Sequence, residues 1–99
     1  ITPSSPSSGL IHTISDGRRV SFVTVTVTEP FNAPATIEVG DSAQHDRLMT
    51  SDQNDLMSIS DYSTTPAYTY ASGSDTDINF YFNANGATQG SAVVAITYT

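Results

Sequence analysis

The clearest pattern in this chain is the stretch 20–28, VSFVTVTVT, in which valines and hydroxyl-bearing residues alternate. Successive side chains of a β-strand face opposite sides, so Val23, Val25 and Val27 would point one way and the threonines the other. A helix of the same sequence would scatter the valines around its surface. The pattern therefore predicts a strand with one apolar face for a core and one β-branched, polar face.

Shorter alternating segments, separated by turn residues, follow along the rest of the chain. We interpret the following segments as strands: 10–15, 36–39, 62–71 with a break near Pro66, 77–83 and 91–99. No segment has a sustained helical period. We therefore predict an all-β domain, an antiparallel β-sandwich that is jelly-roll-like and has seven or eight short strands. The turn dipeptide Asp16-Gly17 further predicts a hairpin between 10–15 and the strand 20–28.

The first residues differ in composition from the rest of the chain. Residues 1–8, ITPSSPSS, are rich in serine and proline, which is typical of linkers. We predict that 1–8 is a linker to an upstream region and that 9–99 form the β-sandwich domain. The closing segment AVVAITYT alternates to its last residue, which predicts a terminal strand held in a sheet.

Composition suggests that such a domain needs support beyond its own core. The chain has 99 residues, 37% of them hydrophobic, and no cysteine, so its core is small and no disulfide reinforces it. Oligomerisation is the simplest source of added stability. The hydroxyl face formed by Thr24, Thr26 and Thr28 is our predicted oligomer interface, and ordinary surface exposure is the alternative.

The charge balance excludes two classes of partner. Three arginines, no lysine and ten acidic residues give a net charge of −7. Nucleic-acid binding requires a basic stripe, which this chain lacks. No apolar run approaches the ~20 residues that a spanning helix needs, so we expect no membrane insertion.

Catalytic signatures are absent from the sequence. A hydrolase of the Ser-His type needs a nucleophile, a base and an orienting group in contact, and no G-x-S-x-G elbow accompanies the many serines. No two of the acidic residues stand out as a glycosidase pair. We predict that the chain is not an enzyme and that it carries no cofactor.

Acidic residues cluster between positions 41 and 55, around Arg47. Calcium takes about six to eight oxygen ligands, so this segment offers a weak calcium site whose candidate ligands are Asp41, Asp46, Asp52 and Asp55. The spacing does not match an EF-hand loop, and solvated, turn-forming aspartates are the favoured alternative. For Arg47 we predict a structural role, in which the guanidinium pairs with neighbouring carboxylates between two strands.

The tyrosines are the better candidates for ligand contact. Aromatic faces stack on sugar rings, and tyrosine supplies contact area at low entropic cost. We name Tyr81, Tyr68 and Tyr70 as candidate glycan contacts, with packing in the core or at a subunit interface as the alternative. Of these, Tyr81 is the one we expect to face outward, because Ile78, Phe80 and Phe82 occupy the opposite face of its strand.

The order of several blocks resembles a family of phage proteins. These blocks are VTVTVTEPFNAPATIEVGD, DRLM, DQNDL, a tyrosine-rich strand, SDTDINFYFN and GATQGSAVVAITYT. Over about residues 10–99 they resemble the C-terminal β-sandwich domains of tailed-bacteriophage tail spikes and tail fibres, and of related head or tail accessory proteins. The resemblance implies a jelly-roll-like domain that forms homotrimers, caps a fibrous protein and in some cases contacts host-surface glycans.

These expectations combine into one leading hypothesis and two alternatives. The leading hypothesis is a structural virion module, a homotrimerising cap of a spike or fibre, whose partners are its own copies, an upstream domain and host surface polysaccharide. The alternatives are a monomeric carbohydrate-binding module and a capsid decoration protein. The resemblance places the chain on the virion, at the tail or head surface, and therefore outside the cell during infection.

Overall fold

The computed structural model describes all 99 residues, which form seven β-strands in two antiparallel sheets. The strands are β1 (Ser8–Ile14), β2 (Arg19–Glu29), β3 (Thr36–Gly40), β4 (Ser60–Thr64), β5 (Tyr68–Thr69), β6 (Thr76–Asn83) and β7 (Ser91–Tyr98). A single turn of 3-10 helix spans Ser51–Gln53. The predicted all-β, antiparallel sandwich is therefore confirmed. The structure has no helix that is long and apolar enough to cross a membrane.

The longest strand, β2, organises the second sheet. The first sheet has the order β1-β6-β3, whereas in the second β2 pairs with β4 and β5 along one edge and with β7 along the other. The predicted alternation of β2 is confirmed, since Val23 and Val25 are fully buried and Val27 is 1% exposed. These valines form the core together with residues of the facing sheet, among them Ile37, Val39, Ile78 and Phe82.

The predicted hairpin between 10–15 and 20–28 is wrong. The first of these segments pairs with β6 and the second with β4, β5 and β7, so the Asp16-Gly17 turn carries the chain from one sheet to the other. The turn is held by Tyr70, the residue directly after β5, instead of by a hairpin ladder: the Gly17 amide donates to the Tyr70 carbonyl (2.7 Å) and the Tyr70 amide donates to the Arg18 carbonyl (2.9 Å). A turn dipeptide indicates that the chain reverses direction. It does not indicate which strands pair with each other on either side of the turn.

The long connection between β3 and β4 closes one side of the sandwich. Leu48, Met49 and Leu56 from this connection are buried in the core. The Val39 amide donates to the Met49 carbonyl (3.0 Å) and the Met49 amide donates back to Val39 (3.1 Å), so one residue of the connection pairs with the edge of β3. The hydroxyl of Thr64 on β4 donates to the Leu48 carbonyl (2.9 Å), which attaches the same connection to the second sheet.

The Ser/Pro-rich first residues lie against the sandwich instead of extending away from it. The Ile1 ammonium group donates to the Ala92 carbonyl (2.5 Å), and the Ala92 amide donates back to Ile1 (2.9 Å). The Phe82 amide donates to the Ser7 carbonyl (2.8 Å), and β1 begins at Ser8. The connection of residues 1–8 to an upstream region stays a prediction.

Truncation of a core side chain should show how much the small core contributes. Ile37 is fully buried on β3, so Ile37→Ala should lower the free energy of unfolding by about 2–5 kcal/mol, because methylene groups are lost and a cavity is left. The matched control is Ile59→Ala, at a site that is 66% exposed, where a change within about 0.5 kcal/mol is expected. Urea unfolding followed by circular dichroism measures both, and equal losses would contradict the assignment of the core.

Candidate functional site

The most extensively hydrogen-bonded polar side chain is that of Asp41, which is only 4% exposed and follows the last residue of β3. Its Oδ1 accepts hydrogen bonds from the backbone amides of Ala43 (3.0 Å) and Gln44 (2.9 Å). Its Oδ2 accepts from Arg47 Nε (2.7 Å) and from the Tyr70 hydroxyl (2.9 Å). Two donors on each oxygen satisfy this buried carboxylate.

The loop that holds Asp41 depends on a glycine immediately before it. A Cβ at Gly40 would collide with the backbone carbonyls of Gln44 and His45, so a larger residue would push the loop away from the strand. The Asp41 amide donates to the Gln44 carbonyl (3.1 Å), and this closes the turn from the other side. The loop therefore folds back tightly over the end of β3.

The same loop is attached to β5 through an arginine and two tyrosines. Arg47 Nη1 donates to the Tyr68 hydroxyl (3.2 Å), and the guanidinium carbon lies 5.0 Å from the centre of the Tyr68 ring. The rings of Tyr68 and Tyr70 meet edge to face, with their centres 4.7 Å apart. The predicted structural role of Arg47 agrees with this geometry, since its ion pair with Asp41 holds the loop together and its hydrogen bond to Tyr68 joins the loop to the second sheet.

The protonation states of this cluster are fixed at neutral pH. Burial opposes ionisation of Asp41, but the hydrogen bonds from Arg47, the Gln44 amide and Tyr70 together lower its pKa below the usual 3.8. Burial raises the pKa of Tyr70, and its hydrogen bond to the Asp41 carboxylate raises it further. The hydrogen bond to Asp41 also raises the pKa of Arg47. None of these groups exchanges a proton near neutral pH, so the cluster is suited to holding structure.

The candidate calcium ligands do not form a site. No three acidic or histidine side chains lie close enough together to hold a metal ion. Asp41 has its four protein donors, and the Asp46 carboxylate accepts from the Gln44 side chain (3.4 Å). Asp52 lies in the 3-10 helix, while Asp55 accepts from the Met57 amide (3.0 Å) in the following turn. The turn-forming alternative describes Asp41 and Asp55 better than the calcium hypothesis.

The three candidate glycan-contact tyrosines occupy different environments. Tyr70 is a correction to our prediction, because it is 6% exposed and its hydroxyl is bonded to Asp41, which makes it a packing residue. Tyr68 is 37% exposed, with Arg47 over its ring. Tyr81 is half-buried on the outer face of the first sheet, where its ring stacks on His45 with the centres 3.7 Å apart. Contact with a glycan by Tyr68 or Tyr81 stays a prediction.

The stacking of His45 on Tyr81 was not foreseen from the sequence. The loop after β3 folds back over the outer face of its own sheet, and this brings position 45 against a strand that begins more than thirty residues later. The Tyr81 hydroxyl also accepts from the Asn79 side chain (3.2 Å). No spacing or composition signal in the sequence links a loop histidine to this tyrosine.

The predicted interface threonines lie on the outer face of the second sheet. Thr24 Oγ1 lies 3.2 Å from the Ser63 hydroxyl of β4, and Thr28 Oγ1 donates to the Ser91 carbonyl (3.2 Å). Thr26 lies between β4 and β7, next to Asp61 on one side and Val93 on the other. Thr24 and Thr26 are half-buried by these neighbours, and their burial in an oligomer stays a prediction.

Sequence reasoning missed a second surface, an apolar groove between β1 and β7. Every residue that lines it is hydrophobic, and Leu10 and Val93 are 60% and 57% exposed. The alternation of β7 gave a signal for this groove, since it places Val93 on the face opposite the buried Ala92. The strand across the groove, β1, could not be identified from the sequence, because the pattern predicted that residues 10–15 pair with the strand 20–28.

Comparison with known proteins supports the fold. No protein-family model and no curated protein sequence matches the chain. Among solved structures, a chain of the cyanophage Pam1 capsid asymmetric unit is similar, with a TM-score of 0.68 and 24% sequence identity. The match covers 99% of this chain and 74% of that chain. At this level of identity the likeness shows a shared fold, which includes nearly every residue described above.

Removal of the Tyr70 hydroxyl tests whether the Asp41 cluster stabilises the fold. Tyr70→Phe leaves the buried carboxylate with one donor fewer and should lower the free energy of unfolding by about 1.5–3 kcal/mol, as expected for a hydrogen bond to a charged group. The control is Tyr62→Phe, which removes a hydroxyl bonded at 3.3 Å to the Ser58 carbonyl at an exposed site. Chemical denaturation of both variants should show the larger loss at position 70, and a larger loss at position 62 would contradict this role.

The lowered pKa of Asp41 also predicts a pH dependence. A carboxylate whose folded pKa lies below its unfolded value stabilises the fold above the unfolded pKa, and this contribution is lost as the pH falls through the folded pKa. We expect the unfolding free energy of the wild type to decrease from about pH 5 to pH 2 more steeply than that of Asp41→Asn. The other acidic groups are common to both proteins. Parallel curves in urea unfolding would show that Asp41 contributes no such linkage.

Proposed function

We propose that this chain is a structural, non-enzymatic component of a bacteriophage virion, and that it acts on the head surface as a capsid decoration protein. The observation that carries the proposal is the likeness in fold to a chain of a phage capsid asymmetric unit, over 99% of this chain. The sequence resemblance to spike, fibre and accessory proteins points independently to a virion. That resemblance includes both tail proteins and head proteins. The likeness in fold to a capsid chain favours a location on the head.

The polar chemistry of the molecule supports a structural role. Asp41 is the one buried charged residue of the core region, and four donors from the protein itself satisfy it. A catalytic carboxylate needs a free lone pair and a pKa near the working pH, whereas this one is saturated and its pKa is lowered. We assign the cluster to holding the loop after β3 in place.

The proposed partners are the capsid surface and further copies of this chain, and a homotrimer is the assembly that the sequence resemblance implies. A domain of 99 residues without disulfides gains stability from such an assembly. The cap of a tail spike or fibre is the second candidate function, and the order of the sequence blocks favours it. Glycan binding is less favoured, because Tyr81 already stacks on His45 and Tyr68 lies beneath Arg47.

Co-sedimentation with phage particles tests the proposal. Heads and tails are prepared separately from a phage that encodes this chain but has the gene deleted, and each is mixed with the purified protein. We expect saturable binding to heads, at a fixed ratio to the major capsid protein, and no binding to tails. Host cells and host surface polysaccharide serve as the third and fourth targets.

Each alternative predicts a different distribution in this experiment. Binding to tails without binding to heads would support the spike or fibre cap and contradict the decoration role. Binding to the polysaccharide alone, lost in Tyr81→Ala, would support a carbohydrate-binding module. Because His45 stacks on Tyr81, His45→Ala is a useful companion variant that exposes the ring without removing it.

A further inference from the structure

The two strands that border one side of the sandwich carry no Asp, Glu, Lys, Arg or Pro. These are β1, SGLIHTI, and β7, SAVVAITY. Each is the edge strand of its sheet, and the two lie beside each other. Natural proteins protect an exposed edge with charges, prolines or a covering loop, because its free backbone groups pair readily with another chain. This side of the molecule lacks the first two of these protections.

The opposite side of the sandwich, formed by β3 and β4, is protected by a covering loop. There the connection between β3 and β4 exchanges two backbone hydrogen bonds between Met49 and Val39 and one side-chain bond from Thr64 to Leu48. On the side formed by β1 and β7, Ile1 is the residue of this chain that pairs with the outer edge of β7, through two backbone hydrogen bonds to Ala92. We call the side consisting of β1 and β7 the open edge.

The open edge is also apolar. Its groove is lined only by hydrophobic residues, and Leu10 and Val93 rank among the most exposed large hydrophobic side chains of the chain. Contiguous exposed apolar surface in a protein is a mark of an interaction site. By contrast, the outer faces of the two sheets carry charged groups such as Glu38 and Asp61.

The backbone of β7 already pairs with one other residue of this chain on its outer side. Ile1 exchanges two hydrogen bonds with Ala92 on the side of β7 that faces away from β2. Alternate residues of a strand present their backbone groups to the same side, so Val94 and Ile96 direct theirs outward as well. No other segment of the chain pairs with β7 there.

We propose that copies of this chain associate with one another through the open edge. The two backbone hydrogen bonds of Ile1 show that the outer edge of β7 accepts a backbone partner, and the Ile1 side chain lines the groove. Each copy has a net charge of −7, and β1 and β7 carry no acidic residue, so contact through the open edge avoids the repulsion between acidic groups of two copies. The same strands carry no Asp or Glu with which a basic partner would form an ion pair. The inference deepens the self-association that belongs to the proposed function and is independent of binding to heads.

Charge substitution at the open edge tests the inference. Leu10 is 60% exposed, so Leu10→Asp should leave the fold intact but place a carboxylate in the apolar contact. Light scattering and sedimentation equilibrium of the full chain should show an oligomer for the wild type and at least roughly tenfold weaker association for Leu10→Asp, equivalent to ~1.4 kcal/mol. Thermal unfolding of the dissociated variant checks that it is folded.

Two control variants separate the open edge from other surfaces. Ile59→Asp changes an equally exposed aliphatic residue just before β4, and it should leave association unchanged. Thr24→Asp places the same charge on the hydroxyl face predicted from the sequence, between Ser63 of β4 and Ala95 of β7. If Thr24→Asp dissociates the assembly and Leu10→Asp does not, the interface is the threonine face and the inference is overturned.

Failure of this inference and failure of the proposed function are distinguishable. A wild-type chain that stays monomeric at about 100 μM, well above the micromolar range of specific self-association, overturns the inference even if it binds heads. A wild-type oligomer that dissociates on Leu10→Asp supports the inference even if it binds no heads. Equal dissociation by Leu10→Asp and Ile59→Asp would indicate a general effect of added charge and would also overturn the inference.

Discussion

The burial of one face of β2 is the constraint on which the rest of this structure depends. Val23, Val25 and Val27 point into the core, and the strand that carries them pairs along both of its edges. A shift of register by one residue would bury threonines and expose valines, so the register of β4 and β7 follows from this strand. Because β2 spans the middle of its sheet, its outer hydroxyl face is partly covered by neighbours and only partly available to a partner.

A second constraint acts at one end of the sandwich, where a small core is supported by a buried ion pair. The Asp41 carboxylate accepts hydrogen bonds from two backbone amides, from Arg47 and from Tyr70. These bonds join the loop after β3 to the end of the short strand β5. A buried charge is costly unless it is fully paired. The donors here come from the loop after β3 and from Tyr70, which directly follows the two-residue strand β5. The cluster gives these weakly structured segments one defined arrangement, in a domain that has no disulfide.

The two sides of the sandwich differ in a way that bears on function. One side is closed by a long connection with buried side chains, while the other presents two uncharged edge strands and an apolar groove. The uncharged edge strands and the apolar groove are features that favour contact with another chain.

The sequence by itself determined the fold class and the buried faces of β2 and β6, because the two-residue period of a strand is a local property. It also indicated the break near Pro66 and the structural role of Arg47. Only the tertiary structure decided which strands pair, since the Asp16-Gly17 turn leads into the other sheet instead of a hairpin. It likewise decided that Tyr70 is buried against Asp41 and that His45 stacks on Tyr81. Those contacts join residues 29 and more positions apart, and their formation depends on how the loops fold over the sheets, which no local pattern encodes.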